Sequence, residues 1–217
     1  MIPVGHKKLT AELTIPAGAH AIIVFARSGA DAHLNRHERA VAALLQKAGF
    51  GTLLSDLLTD TEMLTSAAFD IDLLTARLLI VTNWVRERDL FGHYRLAYFA
   101  VSVAAAAAIR AAVCLDEVID ALVCCSGRTD LAAETLPELQ QPAMLIAGSL
   151  DRPVLEFNRE ALALLSCPRR LEIIQGATHL PDGTHAQSAT QLPEDKSDEI
   201  VELAMQWFNT HLKCLVS

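Results

Sequence analysis

Short apolar runs alternate with longer segments of helical periodicity along most of this chain. Residues 21–26 form a short continuous apolar run, which is typical of a strand covered on both faces. Further short, mainly apolar segments predict strands at residues 52–54, 95–101, 121–125, 142–147 and 170–174. Apolar residues spaced three or four apart, as on one face of a helix, occupy residues 70–88, 103–113, 153–165 and 195–212. The pattern therefore predicts strands and helices in alternation.

Three further segments complete the pattern. Residues 4–15 alternate loosely between apolar and polar and stop at Pro16, which predicts an outer antiparallel strand or a hairpin. Asn35 is placed to cap a helix that has Glu38 at its third position and stops at Gly49. Residues 187–194 are polar throughout and are expected to form a loop.

Strands and helices in repeated alternation predict an α/β fold, in which a mostly parallel central sheet carries helices on both faces. We expect a single domain over residues 1–217, with little or no cap domain. In sheets of this kind, ligands bind in a crevice beyond the carboxyl ends of the strands. Polar residues that follow the strands are therefore the candidates for function.

Three of these strand-end residues can form a nucleophile, an acid and a base, in the chain order Ser102, Asp151, His179. A serine hydroxyl is a poor nucleophile until an imidazole takes its proton, and a carboxylate must hold that imidazole in the right tautomer. The order is the one expected when the serine is on a strand-to-helix turn of an α/β sheet. Ala100 and Ala104 around the serine are small enough for strand and helix to cross closely there.

Each of the three residues also has a structural interpretation that the sequence leaves open. Ser102 could be a buried hydroxyl in an alanine-rich junction, and His179 a surface histidine in a loop. Asp151 could cap the helix that begins around Pro153. The joint placement of all three at strand ends favours a catalytic triad.

Composition narrows the class of protein and of partner. Of the 217 residues, 52% are hydrophobic and 20% charged, so the chain can bury a large core. The net charge of −8 argues against nucleic-acid and anionic-membrane partners, since both require a basic surface. We expect a cytoplasmic protein, because no apolar segment is long enough to span a membrane and residues 1–9 lack the apolar core of a signal peptide.

The five cysteines and eight histidines show no metal-ligand or redox spacing. We expect reduced core cysteines, the adjacent Cys124 and Cys125 included, since neighbouring thiols in a strand make a poor redox motif. We expect no metal site.

Four segments of the sequence resemble the dienelactone-hydrolase-like family of the α/β-hydrolase fold. They are Ser55-Asp-Leu-Leu-Thr59, Ser126-Gly-Arg-Thr-Asp-Leu131, Leu145-Ile-Ala-Gly-Ser-Leu-Asp-Arg-Pro-Val154 and Gly176-Ala-Thr-His-Leu180. The resemblance runs from about residue 11 to residue 212. It implies hydrolysis of an ester or lactone through an acyl-enzyme, without a metal or organic cofactor. We expect the substrate to be a small molecule that contains an ester, a thioester or a lactone.

The resemblance also implies roles for individual residues. Ser102 is then the nucleophile, Asp151 the acid and His179 the base. The N–H groups of Val103 and Gly29 are the implied oxyanion donors.

Three arginines that follow strand ends, Arg27, Arg128 and Arg152, are candidates to bind a substrate carboxylate, because a guanidinium can grip it with two hydrogen bonds. Surface or internal ion pairing is the alternative for each of them.

The sequence departs from the family after the first buried strand. Relatives typically carry His-Gly-Ser-Gly where this chain has Arg27-Ser-Gly-Ala30, and the loss of glycine at Ser28 can stop the Gly29 amide from turning inward. One missing oxyanion donor costs on the order of 100- to 1,000-fold in turnover. The alternative function is a catalytically impaired α/β-hydrolase-like protein that binds a small ligand or a partner. The oligomeric state, a homodimer included, is left open.

Overall fold

In the part of the chain that the structure describes, nine strands and six α-helices follow one another in largely the predicted alternation. A computed structural model describes residues 1–28, 32–88, 94–177 and 194–212, and for residues 32–37, 194, 195 and 197 it describes the backbone only. The strands are β1 (Ile2–Val4), β2 (Lys7–Leu9), β3 (Ala11–Thr14), β4 (Ala21–Arg27), β5 (Gly51–Asp56), β6 (Arg95–Val101), β7 (Ile119–Cys125), β8 (Ala143–Gly148) and β9 (Arg169–Ile174). The helices are α1 (Ala32–Lys47), α2 (Asp60–Met63), α3 (Ile71–Arg86), α4 (Ala104–Cys114), α5 (Arg152–Leu164) and α6 (Glu194–His211).

Seven of the strands form one sheet in the order β3-β5-β4-β6-β7-β8-β9. All neighbours pair in parallel except β3, which runs antiparallel to β5 at one edge. The strands β1 and β2 pair separately as an antiparallel hairpin. The mostly parallel sheet and the antiparallel pairing near the start of the chain are both as predicted.

Helices cover both faces of this sheet, as the continuous apolar strands require. Along β4, Ile22, Val24 and Ala26 belong to the core shared with α3 and α4. The alternate residues of β4, among them Ile23 and Phe25, belong to the opposite core, shared with α1 and α6. The fold is therefore a three-layer α/β arrangement, and the predicted fold class is confirmed.

The helix after β4 begins earlier than the sequence predicts. The helix α1 starts at Ala32, so Asn35 lies within it and the predicted cap at Asn35 is wrong. The residues before Asn35 include alanine and leucine, which favour helix and extend it by a turn. The short helix α2 was not predicted, because four residues carry too little periodicity to detect.

The strand order places a crevice at the carboxyl ends of β4 and β6. The chain passes from β4 outward to β5 and then returns to form β6 on the other side of β4. Such a reversal of direction leaves a gap between the two connections, where ligands of α/β proteins bind. Arg27 is the last residue of β4, and Ser102 directly follows β6, so both lie at this point.

None of the helices in the described part of the chain has the length and apolar character needed to cross a membrane.

Candidate active site

Ser102 occupies the turn between β6 and α4, at the carboxyl end of a strand flanked by β4 and β7. Its φ of +54° lies in the left-handed region, which costs a non-glycine residue on the order of 1–3 kcal/mol. Its N–H donates to the Cys125 carbonyl at 3.2 Å, and its carbonyl accepts from the Arg128 N–H at 3.0 Å. Because its N–H is bonded to the last residue of β7 and its carbonyl to the loop that follows β7, the strained turn is held in place.

The turn forms with alanine two positions before and two positions after Ser102. Ala100 and Ala104 are both fully buried. Ala100 pairs in register with Ala26 of β4, so small residues face each other where the strand enters the turn. The expectation that alanines are small enough for this strand-to-helix crossing is confirmed by the geometry of the backbone.

The side chain of Ser102 lies inside the protein. The residue is 6% exposed, and its Oγ makes no hydrogen bond with any residue that the structure describes. A buried hydroxyl normally has a hydrogen-bond partner, and an exception often marks a functional position. Ser102 therefore combines backbone strain with an unsatisfied hydroxyl at the predicted crevice.

Val103 begins the turn into α4 and is buried. The N–H groups of Ala105 and Ala106 donate to the carbonyls of Ser102 and Val103 at 3.2 and 3.1 Å. The N–H groups at the start of a helix have no carbonyl one turn earlier to accept from them, and they attract negative charge. The Val103 amide is placed at this end of α4. Gly29, the other predicted oxyanion donor, lies outside the described residues.

Asp151 follows β8 and is the N-cap of α5, with its Oδ1 accepting from the Val154 N–H at 3.4 Å. The capping interpretation that the sequence left open is therefore confirmed. Capping uses Oδ1, and Oδ2 of the same carboxylate is buried. A capping role and a role as the acid of a triad are compatible for this carboxylate.

The loop that carries Asp151 is bonded to the segment leading towards His179. The N–H groups of Ser149 and Leu150 donate to the carbonyls of Ile174 and Ala177 at 3.0 and 2.9 Å. The Ser149 Oγ accepts from the Gly176 N–H at 2.9 Å. His179 itself lies outside the described residues, two positions after Ala177. The chain thus passes close to the Asp151 loop immediately before the predicted base.

Arg27 is held by two carboxylates of the protein itself. Its Nε lies 2.9 Å from Glu38 Oε2, and its Nη2 lies 3.1 Å from Asp56 Oδ1. The Arg27 and Glu38 side chains are 8% and 7% exposed. This is the ion-pair alternative that the sequence left open, so the guanidinium proposed for a substrate carboxylate is engaged in an internal cluster.

Burial dominates the electrostatics of this ionic cluster. It raises the pKa of Glu38 to about 7, against the opposing effect of the Arg27 guanidinium, and the nearby Asp56 carboxylate adds to the increase. Burial also raises the pKa of Asp56, again opposed by Arg27. Two carboxylates share one cation here, and loss of water is the larger influence on both.

The other two candidate arginines differ from Arg27 in exposure. Arg128 is partly exposed and forms a two-bond pair with Asp130, with Nε–Oδ1 and Nη2–Oδ2 distances of 2.9 and 2.8 Å. Its guanidinium carbon lies 5.3 Å from the centre of the Phe157 ring. Arg152 is the exposed first residue of α5, adjacent to Asp151.

Comparisons with known proteins agree with this geometry. The structure matches a crystal structure of dienelactone hydrolase from Anabaena variabilis with a TM-score of 0.85 and 36% identity, covering 98% of this chain and 96% of that one. The chain belongs to the dienelactone-hydrolase-like family of the α/β-hydrolase fold. Its resemblance to this family, noted from the sequence, is confirmed. No protein-family model matches the sequence.

More distant matches extend the likeness beyond the dienelactone hydrolases. An α/β serine hydrolase homologue from Coxiella burnetii matches with a TM-score of 0.71, covering 95% of both chains. At 16% identity this second match shows the fold alone.

A proposed phosphoribosyl transferase from Mycobacterium tuberculosis is 36% identical over 211 residues, which is 96% of this chain. That match covers 45% of the transferase, so this chain spans less than half the length of the curated relatives it matches.

For this dienelactone-hydrolase-like chain, sequence reasoning missed three residues around the turn. Glu38 was assigned only to a helix start, and Asn158 and Gly127 were given no role. Asn158 is fully buried in α5 and donates to the Gly127 carbonyl at 2.9 Å. An asparagine on the apolar face of an amphipathic helix was the available signal.

Cysteines and possible metal ligands add little to the site. Cys124, Cys125 and Cys167 are buried and free, whereas Cys114 is exposed, so the expectation of a core cysteine is wrong there. Cys114 is exposed because it ends α4 where the helix leaves the core.

Within residues 1–28, 32–88, 94–177 and 194–212, no three histidine, cysteine or acidic side chains are grouped to hold a metal ion.

Proposed function

We propose that this chain is a serine hydrolase that cleaves an ester, thioester or lactone of a small molecule. The observation that carries the proposal is the left-handed conformation of Ser102 between β6 and α4, with a buried hydroxyl that no described residue bonds. This turn holds a nucleophile at the carboxyl end of the sheet in α/β-hydrolases. Membership of the dienelactone-hydrolase-like family supports the same chemistry.

In the proposed mechanism, His179 removes the proton of Ser102 as the serine oxygen attacks the substrate carbonyl. Asp151 orients the imidazole and stabilises its positive charge. The carbonyl oxygen becomes an oxyanion, which accepts hydrogen bonds from the N–H groups of Val103 and Gly29. When the tetrahedral intermediate collapses, the bond to the leaving group breaks, and His179 gives its proton to the departing oxygen or sulfur.

Water completes the reaction in the second half of the cycle. His179 takes a proton from water as the water oxygen attacks the acyl group on Ser102. The ester bond to the serine then breaks, the serine recovers its proton, and a carboxylic acid is released. Arg128 and Arg152 are the better candidates to bind a carboxylate of the substrate. Arg27 is buried against Glu38 and Asp56, whereas Arg152 is exposed and Arg128, although paired with Asp130, is partly exposed.

We also propose that phosphoribosyl transfer is not a property of this chain. The relatives that carry this activity in their name are more than twice as long as the part that matches. This chain, which is 36% identical to the matching part, has the fold of a dienelactone hydrolase. The remainder of those relatives is therefore the better candidate for the transferase.

A fluorophosphonate probe tests the hydrolase directly, because it reacts with an activated serine whatever the substrate. The wild-type chain should be labelled on Ser102, and S102A should abolish both labelling and hydrolysis of a short activated ester. Ser55→Ala is the matched control, since Ser55 is also buried near the end of a strand with its hydroxyl bonded to the Asp56 carbonyl at 3.4 Å. His179→Ala should reduce activity to within about tenfold of S102A, because triad members act together.

Three outcomes would overturn the proposal or its assignment. Labelling that survives S102A would show that another serine reacts, with Ser28 and Ser126 the next candidates. Labelling unchanged in His179→Ala would remove His179 as the base. A folded wild-type chain that neither reacts with the probe nor hydrolyses esters would favour the impaired, ligand-binding alternative.

A further inference from the structure

The loop of Ser126, Gly127 and Arg128, here called the cradle loop, supports the turn that carries Ser102. The Arg128 N–H donates to the Ser102 carbonyl at 3.0 Å. Ser126 has a φ of +46°, so the cradle loop contains a second left-handed residue one strand away from the first. Two strained serines on neighbouring strands need surrounding contacts that hold both in place.

Gly127 brings the cradle loop into close contact with α4. A Cβ added at Gly127 would lie 2.8 Å from the Cβ of Ala105, closer than real side chains approach each other. The absence of a side chain therefore sets the distance between the loop and the first turn of the helix that follows Ser102. A shift of the loop would be transmitted to that turn by direct contact.

Asn158 connects the cradle loop to the helix that Asp151 begins. It is fully buried, and its Nδ2 donates to the carbonyls of Gly127 and Val154 at 2.9 and 2.7 Å. Its Oδ1 is also buried and has no hydrogen-bond partner in the part of the chain that the structure describes. An aliphatic side chain would avoid that unsatisfied oxygen, so packing stability alone does not explain an amide here.

A second contact lies beside the Asn158 bond. The Oγ1 of Thr129, also fully buried, donates to the Phe157 carbonyl of α5 at 3.0 Å. The loop that holds Ser102 is thus bonded at two points to the helix whose first turn is capped by Asp151.

We infer that Asn158 is a positioning residue that fixes the distance between Ser102 and Asp151 through the cradle loop and α5. The inference rests on the proposed function of Ser102 as nucleophile. For an activated ester, Asn158 acts on turnover more than on substrate binding, because its contacts reach the backbone that carries Ser102 and Asp151. A misplacement of about 1 Å in such a site can lower the rate by about 100-fold.

Asn158→Leu tests this role, because leucine has the same number and branching of side-chain heavy atoms but no hydrogen-bonding group. Its rate of fluorophosphonate labelling and its kcat for an activated ester should fall by at least about tenfold, with KM changed less than about threefold. Amide hydrogen exchange at Ser102 and Arg128 should become faster. The control is Thr82→Val, which removes the buried hydrogen bonds of Thr82 to the Leu78 carbonyl and the Tyr98 hydroxyl, away from the cradle loop. It should leave labelling, kcat and exchange at Ser102 and Arg128 unchanged.

The two measurements separate this inference from the proposed function. A folded Asn158→Leu variant with unchanged labelling and unchanged exchange would overturn the inference, although the hydrolase would stand. If the wild-type chain is not labelled, the proposed function fails, and faster exchange at Ser102 and Arg128 would still support the structural link. If Asn158→Leu does not fold, Thr129→Val takes its place, with an expected loss of about threefold in labelling, and no loss would overturn the inference.

Discussion

Replacing Glu38 by glutamine should remove much of a pH dependence that the ionic cluster imposes on folding stability. Glu38 is buried against Arg27, and burial raises its pKa from the ordinary 4.5 to about 7. The folded protein therefore binds a proton at Glu38 more tightly than the unfolded chain does. This contribution to the free energy of unfolding is fully present below about pH 4.5 and is lost as the pH rises to about 7.

The expected size follows from the change in pKa. At 1.36 kcal/mol per pKa unit, the increase from 4.5 to about 7 corresponds to about 3 kcal/mol. At pH 5 the protonated Glu38 is neutral and resembles glutamine, so E38Q and the wild-type protein should have similar free energies of unfolding. At pH 8 E38Q should be more stable by about 3 kcal/mol, because it buries no ionised carboxylate at this position.

Urea unfolding at pH 5, 6, 7 and 8 measures this difference, and subtracting the two proteins cancels the titration of groups that do not interact with Glu38. Glu12→Gln is the matched control, because Glu12 pairs with Arg39 at 2.6 Å while both side chains are 51% exposed. Such a surface pair contributes about 0–1 kcal/mol, so the control should show little change with pH. A difference in the free energy of unfolding between E38Q and wild type that does not change with pH would refute the reasoning. A wild type that is more stable than E38Q at pH 8 would also refute it, because the attraction of Arg27 for the Glu38 carboxylate would then outweigh the loss of water.

Two further predictions concern the residues next to the turn. Gly127→Ala should lower the free energy of unfolding by about 1–3 kcal/mol and slow fluorophosphonate labelling of Ser102, because the new Cβ would lie 2.8 Å from the Cβ of Ala105. Unchanged thermal unfolding and labelling would contradict this prediction and show that α4 can move aside. Restoring the glycine that relatives carry in place of Ser28 should raise turnover by at least about tenfold, and Arg27 is left unchanged because it pairs with Glu38 and Asp56. Ser28→Gly alone should therefore give the tenfold increase on an activated ester, and equal turnover in the folded variant would mean that this loop is not what limits the rate.

The fold was predictable because each buried strand appears in the sequence as an apolar run bounded by polar residues. The strand 95–101 was predicted with the bounds that the structure gives to β6. The position of Ser102 followed from this strand end, because a residue after a central parallel strand must lie at the crevice. These properties depend on local pattern and on strand topology, both of which a single sequence carries.

The contacts around the site were not predictable in the same way. Arg27 and Glu38 are separated by eleven positions, and they meet because α1 packs back over the end of β4. The bond from Asn158 to Gly127 joins segments 31 residues apart and depends on the rotation of α5 about its axis. Sequence periodicity tells which face of a helix is buried, but not which backbone carbonyl that face meets.

The helix that follows Ser102 is built almost without side-chain freedom. Residues Ala104, Ala105, Ala106, Ala107 and Ala108 are all fully buried, and alanine has no rotamers to exchange. A helix with long side chains can absorb a small displacement by shifting them, whereas a stretch of alanines in contact with its neighbours can only move as a body. The first turns of α4 are therefore mechanically stiff, and a disturbance of their packing is passed to the serine with little attenuation.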